Sequence, residues 1–288
     1  MSKGSDMLRS THPLTVGVNV DIEWIEAGRA GAAGLYGRYS YGRYGAREGI
    51  WRLLDMFKVE GVNVTFFISA DDAGRHQGLL DAIQADGHEL ALLSRMTASA
   101  EDQENIGFQT MVEERDALAK LVGHQPKGWR AVDGLLRVQT LRDLAQLGYL
   151  YDSSAQDDDW PYVMSEPGAE LIELPTFEYL TDATFYASYH THERVRKVWR
   201  EEFQAIYAEG GYIPLTLHTR GDHGSGRAER ARVVAEFLNY AARFPGVSVM
   251  RCDELAARWR EKTDKRDAFL GEIKEPQAER QPLAAVPI

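Results

Sequence analysis

A chain of 288 residues with 44% hydrophobic, 27% charged and 10% aromatic residues has the make-up of an ordinary globular protein, not of a disordered, collagenous or membrane chain. Its net charge of −11 repels phosphate backbones and anionic lipid, so neither nucleic acid nor a membrane is expected as a partner. The single cysteine, Cys252, excludes an intramolecular disulfide and thiolate zinc clusters, and is expected to be an inert, half-buried residue at a strand end.

The leader MSKGSDMLRSTH has no apolar core of the kind an export signal needs, and no apolar run is long enough to span a bilayer, so a cytoplasmic location is expected. Residues 1–13 are expected to form a flexible leader, 14–260 one domain, and 261–288 a poorly ordered or subunit-strapping tail, because that last stretch is charged and contains proline but few apolar anchors.

In chain order, Leu14 to Val20 (LTVGVNV) is a β-branched run ending at Asp21, the pattern of a buried strand that delivers a polar residue to its tip. The Gly, Arg and Tyr rich stretch from Ala27 to Arg47 is too irregular for a helix and long for a connection, so it is a candidate lid, the alternative being a floppy loop or an oligomer contact. Apolar residues at Ile50, Leu53, Leu54 and Phe57 recur at helical spacing, Gly61 closes that helix, and Val62 to Ile68 is a second strand. The alternation continues through helix Leu79 to Ala85, strand His88 to Leu93, helix Glu101 to Val122, strand Lys127 to Ala131, helix Val138 to Gln146 and strand Tyr149 to Tyr151. It ends with strand Leu171 to Leu174, helix Glu193 to Ala208, strand Ile213 to His218, helix Ala228 to Ala242, strand Val247 to Met250 and helix Asp253 to Trp259. Such alternation builds a parallel sheet, as an open doubly wound fold or a closed barrel, with the polar residues at strand C-termini lining the site.

Those residues are Asp21, Glu23, Arg130, Asp152 and His218. Asp21 and Glu23 pair two carboxylates just past a strand, suited to acid/base work, to a metal, or to salt bridges with arginine. His218 ends the apolar strand IPLTL and opens the polar loop TRGDHGSG, which admits a functional or a structural role. Arg130, in GWRAVDG, presents a fixed positive fork to a carboxylate such as Asp21, to a substrate carbonyl, or to a structural ion-pair partner. His190 and His192 in YHTHER are read as incidental, and the chain has no GxSxG elbow, HExxH motif, Walker loop or GxGxxG fingerprint.

Taken together, VNVDIEW, TFFI followed by GLLDAIQADGHELA, the GWR of Gly128 to Arg130, GYLYDSS and LTLH at Leu215 to His218 resemble the successive motifs of the polysaccharide-deacetylase superfamily. DIEW, the stretch Tyr44 to Leu54 and YDSSAQDDDWPY are most similar to its branch of metal-independent allantoinases and cyclic-imide hydrolases. The resemblance spans about Leu14 to Trp259 and implies an α/β fold, a distorted (β/α)7-type barrel, and a homo-oligomer. By position, Asp21 matches the family's catalytic base, Glu23 its metal-binding carboxylate, Arg130 the partner that orients the base, His218 the general acid and Asp152 the motif's acidic residue. Asp152, Tyr151, Trp24, Trp160 and Arg220 are the candidates for substrate contact.

The family's two histidine ligands are replaced by Leu93 and Thr97, leaving Glu23 with Asp21, His218 or His223 as conceivable helpers, too few for a tetrahedral zinc site. No bound metal and no other cofactor is therefore expected. Without a metal the small-molecule substrate must be the easier one, so the expected reaction is hydrolysis of a non-peptide carbon–nitrogen bond in a cyclic imide or ureide. The alternatives are a metal-dependent N-acetyl-sugar deacetylase with substitute ligands, and an inactive small-molecule binder.

Overall fold

The computed structural model describes residues 12–20, 41–94, 104–132, 134, 136–166, 169–261 and 267–268. In chain order these form β1 (His12–Val20), α1 (Tyr41–Tyr44), a π-helical turn (Gly45–Gly49), α2 (Ile50–Glu60), β2 (Thr65–Ile68), α3 (Ala70–Arg75), α4 (Gln77–Ala85), β3 (Glu89–Ser94), α5 (Glu104–Val122), β4 (Gly128–Ala131), α6 (Val138–Gln146) and β5 (Tyr151–Asp152). They continue with β6 (Tyr162–Glu166), β7 (Ala169–Glu173), a 3-10 turn (Glu178–Leu180), α7 (Asp182–Tyr186), α8 (His192–Glu209), β8 (Ile213–His218), α9 (Ala228–Ala241), β9 (Val247–Met250), α10 (Cys252–Arg260) and β10 (Asp267–Ala268).

Local chemistry sets several of these ends. Helix α2 buries Ile50, Leu53, Leu54 and Phe57 on one stripe and stops where Gly61 takes φ 65°, a left-handed conformation that costs a side chain dearly. Helix α8 starts where the Thr191 hydroxyl accepts from the Arg194 N–H and stops at Gly210, φ 83°.

The strands lie in the order β10-β6-β7-β5-β4-β3-β2-β1-β8, parallel from β7 through to β8, with β6 folded back antiparallel on β7. Strand β8 takes one edge of β1 along Leu14–Asn19. The other edge is divided: β9 pairs with its first half, His12 to Thr15, and β2 with its second, Gly17 to Val20. A strand that serves three neighbours in this way must tilt against them, and the sheet curls into a partial barrel.

Period-two alternation then sorts the side chains. Leu14, Val16, Val18 and Val20 of β1, with Phe66, Ile68, Leu90, Leu92, Leu215 and Leu217, face outward into the layer shared with the helices. Phe67, Ala91, Leu93, Tyr151, Ile172 and Leu174 face into the curl, where α10 fills the space with Cys252, Leu255, Ala256 and Trp259. Each of these side chains is buried, which stabilises the fold by about 1.5–3 kcal/mol for the larger ones.

The fold departs from the sequence expectations in four places. The supposed irregular stretch is helical over its described part, because Gly45 and Gly49 let that backbone lie directly on Thr219 and Gly226. Strand β6 and the short helices α3 and α7 have too few residues to show a period. Cys252 is fully buried at the start of α10, not half-buried at a strand end, and burial pushes its thiol up to about 12. The expected unordered tail contributes Asp267 and Ala268, which pair with Val163 and Met164 of β6. The Asp21, Glu23, Trp24 and Thr97 positions, and residues 27–40, lie outside the described residues.

Candidate active site

The C-terminal ends of β1, β4 and β8 bring three inward-facing polar side chains into one network. His218 ends β8 opposite Asn19 of β1, its register partner. The His218 Nδ1 lies 2.7 Å from Oδ1 of Asp182, the first residue of α7, whose side chain is fully buried. The other oxygen of Asp182 accepts the backbone N–H of His218 at 2.9 Å and of Ser225 at 2.7 Å, so one carboxylate fixes both the imidazole and the loop that follows it. His218 keeps 14% of its side chain exposed, enough to meet a ligand.

Arg130 of β4 points the same way, buried and with its guanidinium 3.9 Å over the Phe67 ring. Its Nε donates to the Ser153 carbonyl and its Nη2 to the Ser153 hydroxyl, both at 2.8 Å, while Nη1 donates to Oδ1 of Asn19 at 3.0 Å. Burial lowers the proton affinity of the guanidinium below its ordinary value, yet an arginine stays charged under such conditions. The Nδ2 of Asn19 lies 3.3 Å from Nε2 of His218, which completes a chain from Arg130 through Asn19 and His218 to Asp182.

Beyond His218, His223 sets its ring edge-on at 5.3 Å between centroids, with Asp222 3.5 Å from its Nδ1. Burial works against ionisation of Asp222, but His223 and Arg220 outweigh it and hold the carboxyl well below the usual range. Arg220 is buried and sets its fork on Asp222, Nε at 2.9 Å and Nη2 at 2.8 Å.

Three expected substrate contacts are corrected. Tyr151 faces the interior, but its hydroxyl donates to Glu89 at 3.0 Å, and Glu89 opens β3, so the phenol reaches toward the opposite end of the barrel. Asp152 points to the other side of β5, as its neighbour must, and lies fully buried beside its register partner Glu173. Burial raises the pKa of Asp152, and burial together with the Asp152 charge raises that of Glu173 well above its ordinary value. The pair shapes the turn behind Arg130: Glu173 accepts from the Ser154 and Ala155 N–H groups, and Asp152 from the Ser154 hydroxyl. Trp160 stacks on Trp259 at 5.9 Å, beside Asp159, whose carbonyl accepts the N–H of Tyr212. Tyr212 precedes β8, which places Trp160 at the strand's far end, about 20 Å of extended chain from His218.

Two residues of the network escaped the sequence reading. Asn19 had a signal, since it is a polar residue near the end of the apolar run LTVGVNV, two before Asp21 in the sequence. Asp182 had none, because it lies 36 residues from His218 in a segment without a motif.

The polysaccharide deacetylase family model matches residues 40–151. A solved protein of Mycobacterium smegmatis described as a polysaccharide deacetylase is 27% identical, covers 93% of this chain and 95% of its own, and superposes with a TM-score of 0.78. Over residues 40–151 the chain carries a polysaccharide deacetylase domain, and its likeness to solved proteins so described extends over most of its length. A second such structure, from Pseudomonas aeruginosa PAO1, is 25% identical over 90% of this chain and 94% of its own, with a TM-score of 0.75. A PuuE allantoinase shares the fold at 24% identity, 90% and 93% coverage and a TM-score of 0.74. A curated Schizosaccharomyces pombe relative, also described as a polysaccharide deacetylase, is 24% identical over 75% of this chain and 74% of its own. The expected barrel is thus the observed one, and the coarse class is a hydrolase of the polysaccharide-deacetylase kind.

Metal chemistry in this superfamily needs imidazole ligands, and the donor set here does not fit. Leu93, where the superfamily resemblance places the first histidine, turns its hydrocarbon side chain into the inner core and is 3% exposed. Thr97, at the second position, carries no imidazole either.

Proposed function

We propose that this protein hydrolyses a carbon–nitrogen bond of a cyclic imide or ureide, without a metal. The observation that carries this reading is an imidazole held by a buried carboxylate at 2.7 Å, in one network with a buried guanidinium, on a barrel whose first histidine-ligand position is leucine. A group so oriented relays protons between an attacking water and a departing ring nitrogen, which contributes roughly 10²–10⁴-fold. Arg130 holds the oxyanion that forms at the carbonyl. Asp21 and Glu23, which follow Val20 in the sequence, are the candidates for activating the water.

A cyclic imide suits such a site because its carbonyl is more electrophilic than that of an N-acetyl sugar and its nitrogen leaves more readily. Likeness to an allantoinase in fold supports the substrate class. The test is hydrolysis of succinimide, hydantoin, dihydrouracil and allantoin by enzyme stripped with chelator, with zinc measured alongside. Turnover of a ring at undiminished rate without metal is the expected result. Activity confined to acetylated oligosaccharides and restored by zinc or cobalt would overturn the proposal, and so would binding of a ring that is never opened.

A further inference from the structure

Asp152 of β5 and Glu173 of β7 are register partners on neighbouring parallel strands, so their side chains leave the sheet on the same side, and both are fully buried. Each commits one oxygen to the same turn. Oε1 of Glu173 accepts from the backbone N–H groups of Ser154 at 3.1 Å and Ala155 at 3.0 Å, and Oδ1 of Asp152 accepts from the Ser154 hydroxyl at 2.8 Å. The two oxygens left over, Oδ2 of Asp152 and Oε2 of Glu173, find no donor among the described residues, and the two carboxyl groups hydrogen-bond each other. Ionised carboxylates only accept, so a bond between them needs a proton, and two buried negative charges in contact repel. The turn they grip is the seat of Arg130. The Ser153 carbonyl and hydroxyl that accept from the guanidinium stand between Asp152 and Ser154, and the Ser153 hydroxyl donates to the Leu174 carbonyl at 2.8 Å, next to Glu173. The Ser154 hydroxyl oxygen also accepts the Ala131 N–H at 2.9 Å, which ties the turn to β4 just past Arg130.

We propose that Asp152 and Glu173 share one proton, keep a single negative charge between them, and act as positioning residues for Arg130. One proton satisfies both leftover oxygens and removes the repulsion, so it belongs to the pair and not to either acid. The charge that remains offsets the buried guanidinium. Burial works against the Arg130 charge, and Asp152 is among the groups that work for it. Burial likewise raises the proton affinity of both acids, and the Asp152 charge raises that of Glu173 further. The other titratable groups near the pair among the described residues are Tyr162 of β6, the register partner of Glu173, whose hydroxyl donates to Asp157, and Tyr212 ahead of β8. Helix α6, which packs on β7, carries the buried Asp143. The inference rests on the ring-opening reading only for what Arg130 does to the substrate; the shared proton stands apart from it.

Infrared difference spectra at neutral pH, in light and heavy water, read the proton directly. The wild type is expected to show the C=O stretch of one protonated carboxyl group that is lost in Glu173→Gln and lost again in Asp152→Asn. Each amide puts an N–H group where the shared proton was and leaves the other acid ionised. A band lost in only one of the two variants belongs to a single acid, and a band lost in neither means that both acids are ionised; each result overturns the proposal. For Arg130 the measurement is kinetic. Glu173→Leu strips the acceptor from Ser154 and Ala155, so kcat for ring opening is expected to fall about a hundredfold with KM changed far less. Glu173→Gln, which still accepts and donates, recovers most of that rate. Equal rates in folded Leu and Gln variants would remove the pair from the positioning of Arg130. The spectra of the two amide variants stand whether or not Glu173→Leu folds. They also need no turnover, so a protein that opens no ring but loses the band in both variants loses the reaction and keeps the shared proton.

Discussion

Gly17 measures how little room the guanidinium of Arg130 has. A methyl group built there would lie 2.9 Å from Nη1, 3.0 Å from Nη2 and 3.1 Å from the Phe67 ring, and Arg130 cannot swing aside without breaking its bonds to Ser153. Gly17→Ala is therefore expected to displace the group that meets the oxyanion, with a loss of about a hundredfold in kcat/KM for ring opening. The accompanying loss of stability is about 1–3 kcal/mol. Steady-state kinetics beside a denaturant curve would show it; a Gly17→Ala enzyme of wild-type rate would remove Arg130 from the chemistry.

At the scale of elements, the loop after β8 is held by backbone packed on backbone. A methyl group at Gly49 would collide with the Thr219 carbonyl oxygen and lie 3.3 Å from the Gly226 Cα, and no rotamer relieves a clash with main chain. Arg52 ties the same pieces together, donating from Nη1 to the Gly226 carbonyl and to the Tyr44 hydroxyl. Thr219 follows His218 directly, so prising the π-helical turn off this loop disturbs the imidazole as well as the fold. Gly49→Ala is expected to lower the melting temperature by several degrees, in line with about 1–3 kcal/mol, and to reduce kcat. Gly78 in α4 is the control, since nothing lies within 4 Å of its added methyl and alanine there favours the helix by about 1 kcal/mol. Equal melting temperatures for the two variants would show that the glycine contact does not hold the loop.

On the scale of the whole molecule, the end of the barrel opposite His218 is closed by a buried acid. Glu89 accepts from the Thr65 hydroxyl at 2.7 Å, the Tyr151 hydroxyl at 3.0 Å and the Asp253 N–H at 3.0 Å, and so joins β2, β3, β5 and the start of α10. Burial, with the Asp253 charge nearby, raises its pKa from 4.5 to about 7. The folded state thus holds a proton that the unfolded state releases at lower pH. The stabilising contribution is full below about 4.5 and is lost as pH rises to about 7, a change on the order of a few kcal/mol. Glu89→Gln keeps an acceptor for the Asp253 N–H and turns its amide toward Tyr151, but does not titrate. Unfolding measured from pH 4.5 to 8 should show the wild type losing stability relative to Glu89→Gln as pH rises; a constant difference across that range would show that Glu89 keeps one protonation state.

The sequence by itself determined the alternation of strand and helix, and with it a parallel sheet and the strand ends where chemistry would gather, while the barrel followed from the resemblance of its motifs. Local spacing suffices for that: Leu14, Val16, Val18 and Val20 mark a strand, and Ile50, Leu53, Leu54 and Phe57 mark a helix, whatever surrounds them. It also brought forward Arg130 and His218, because a charged residue at the tip of an apolar strand is conspicuous. Only the tertiary structure decided what those two residues touch. Asp182 reaches His218 across 36 residues, and Asn19 joins Arg130 and His218 across 111 and 199. The same holds for the misplaced Tyr151, Asp152 and Trp160: their neighbourhood in YDSSAQDDDWPY put them together on the page, whereas strand parity and the path of the loop sent them to three different surroundings. Periodicity is a property of neighbours in the chain, and a hydrogen bond between strands is fixed by register and curl, which no short stretch of sequence encodes.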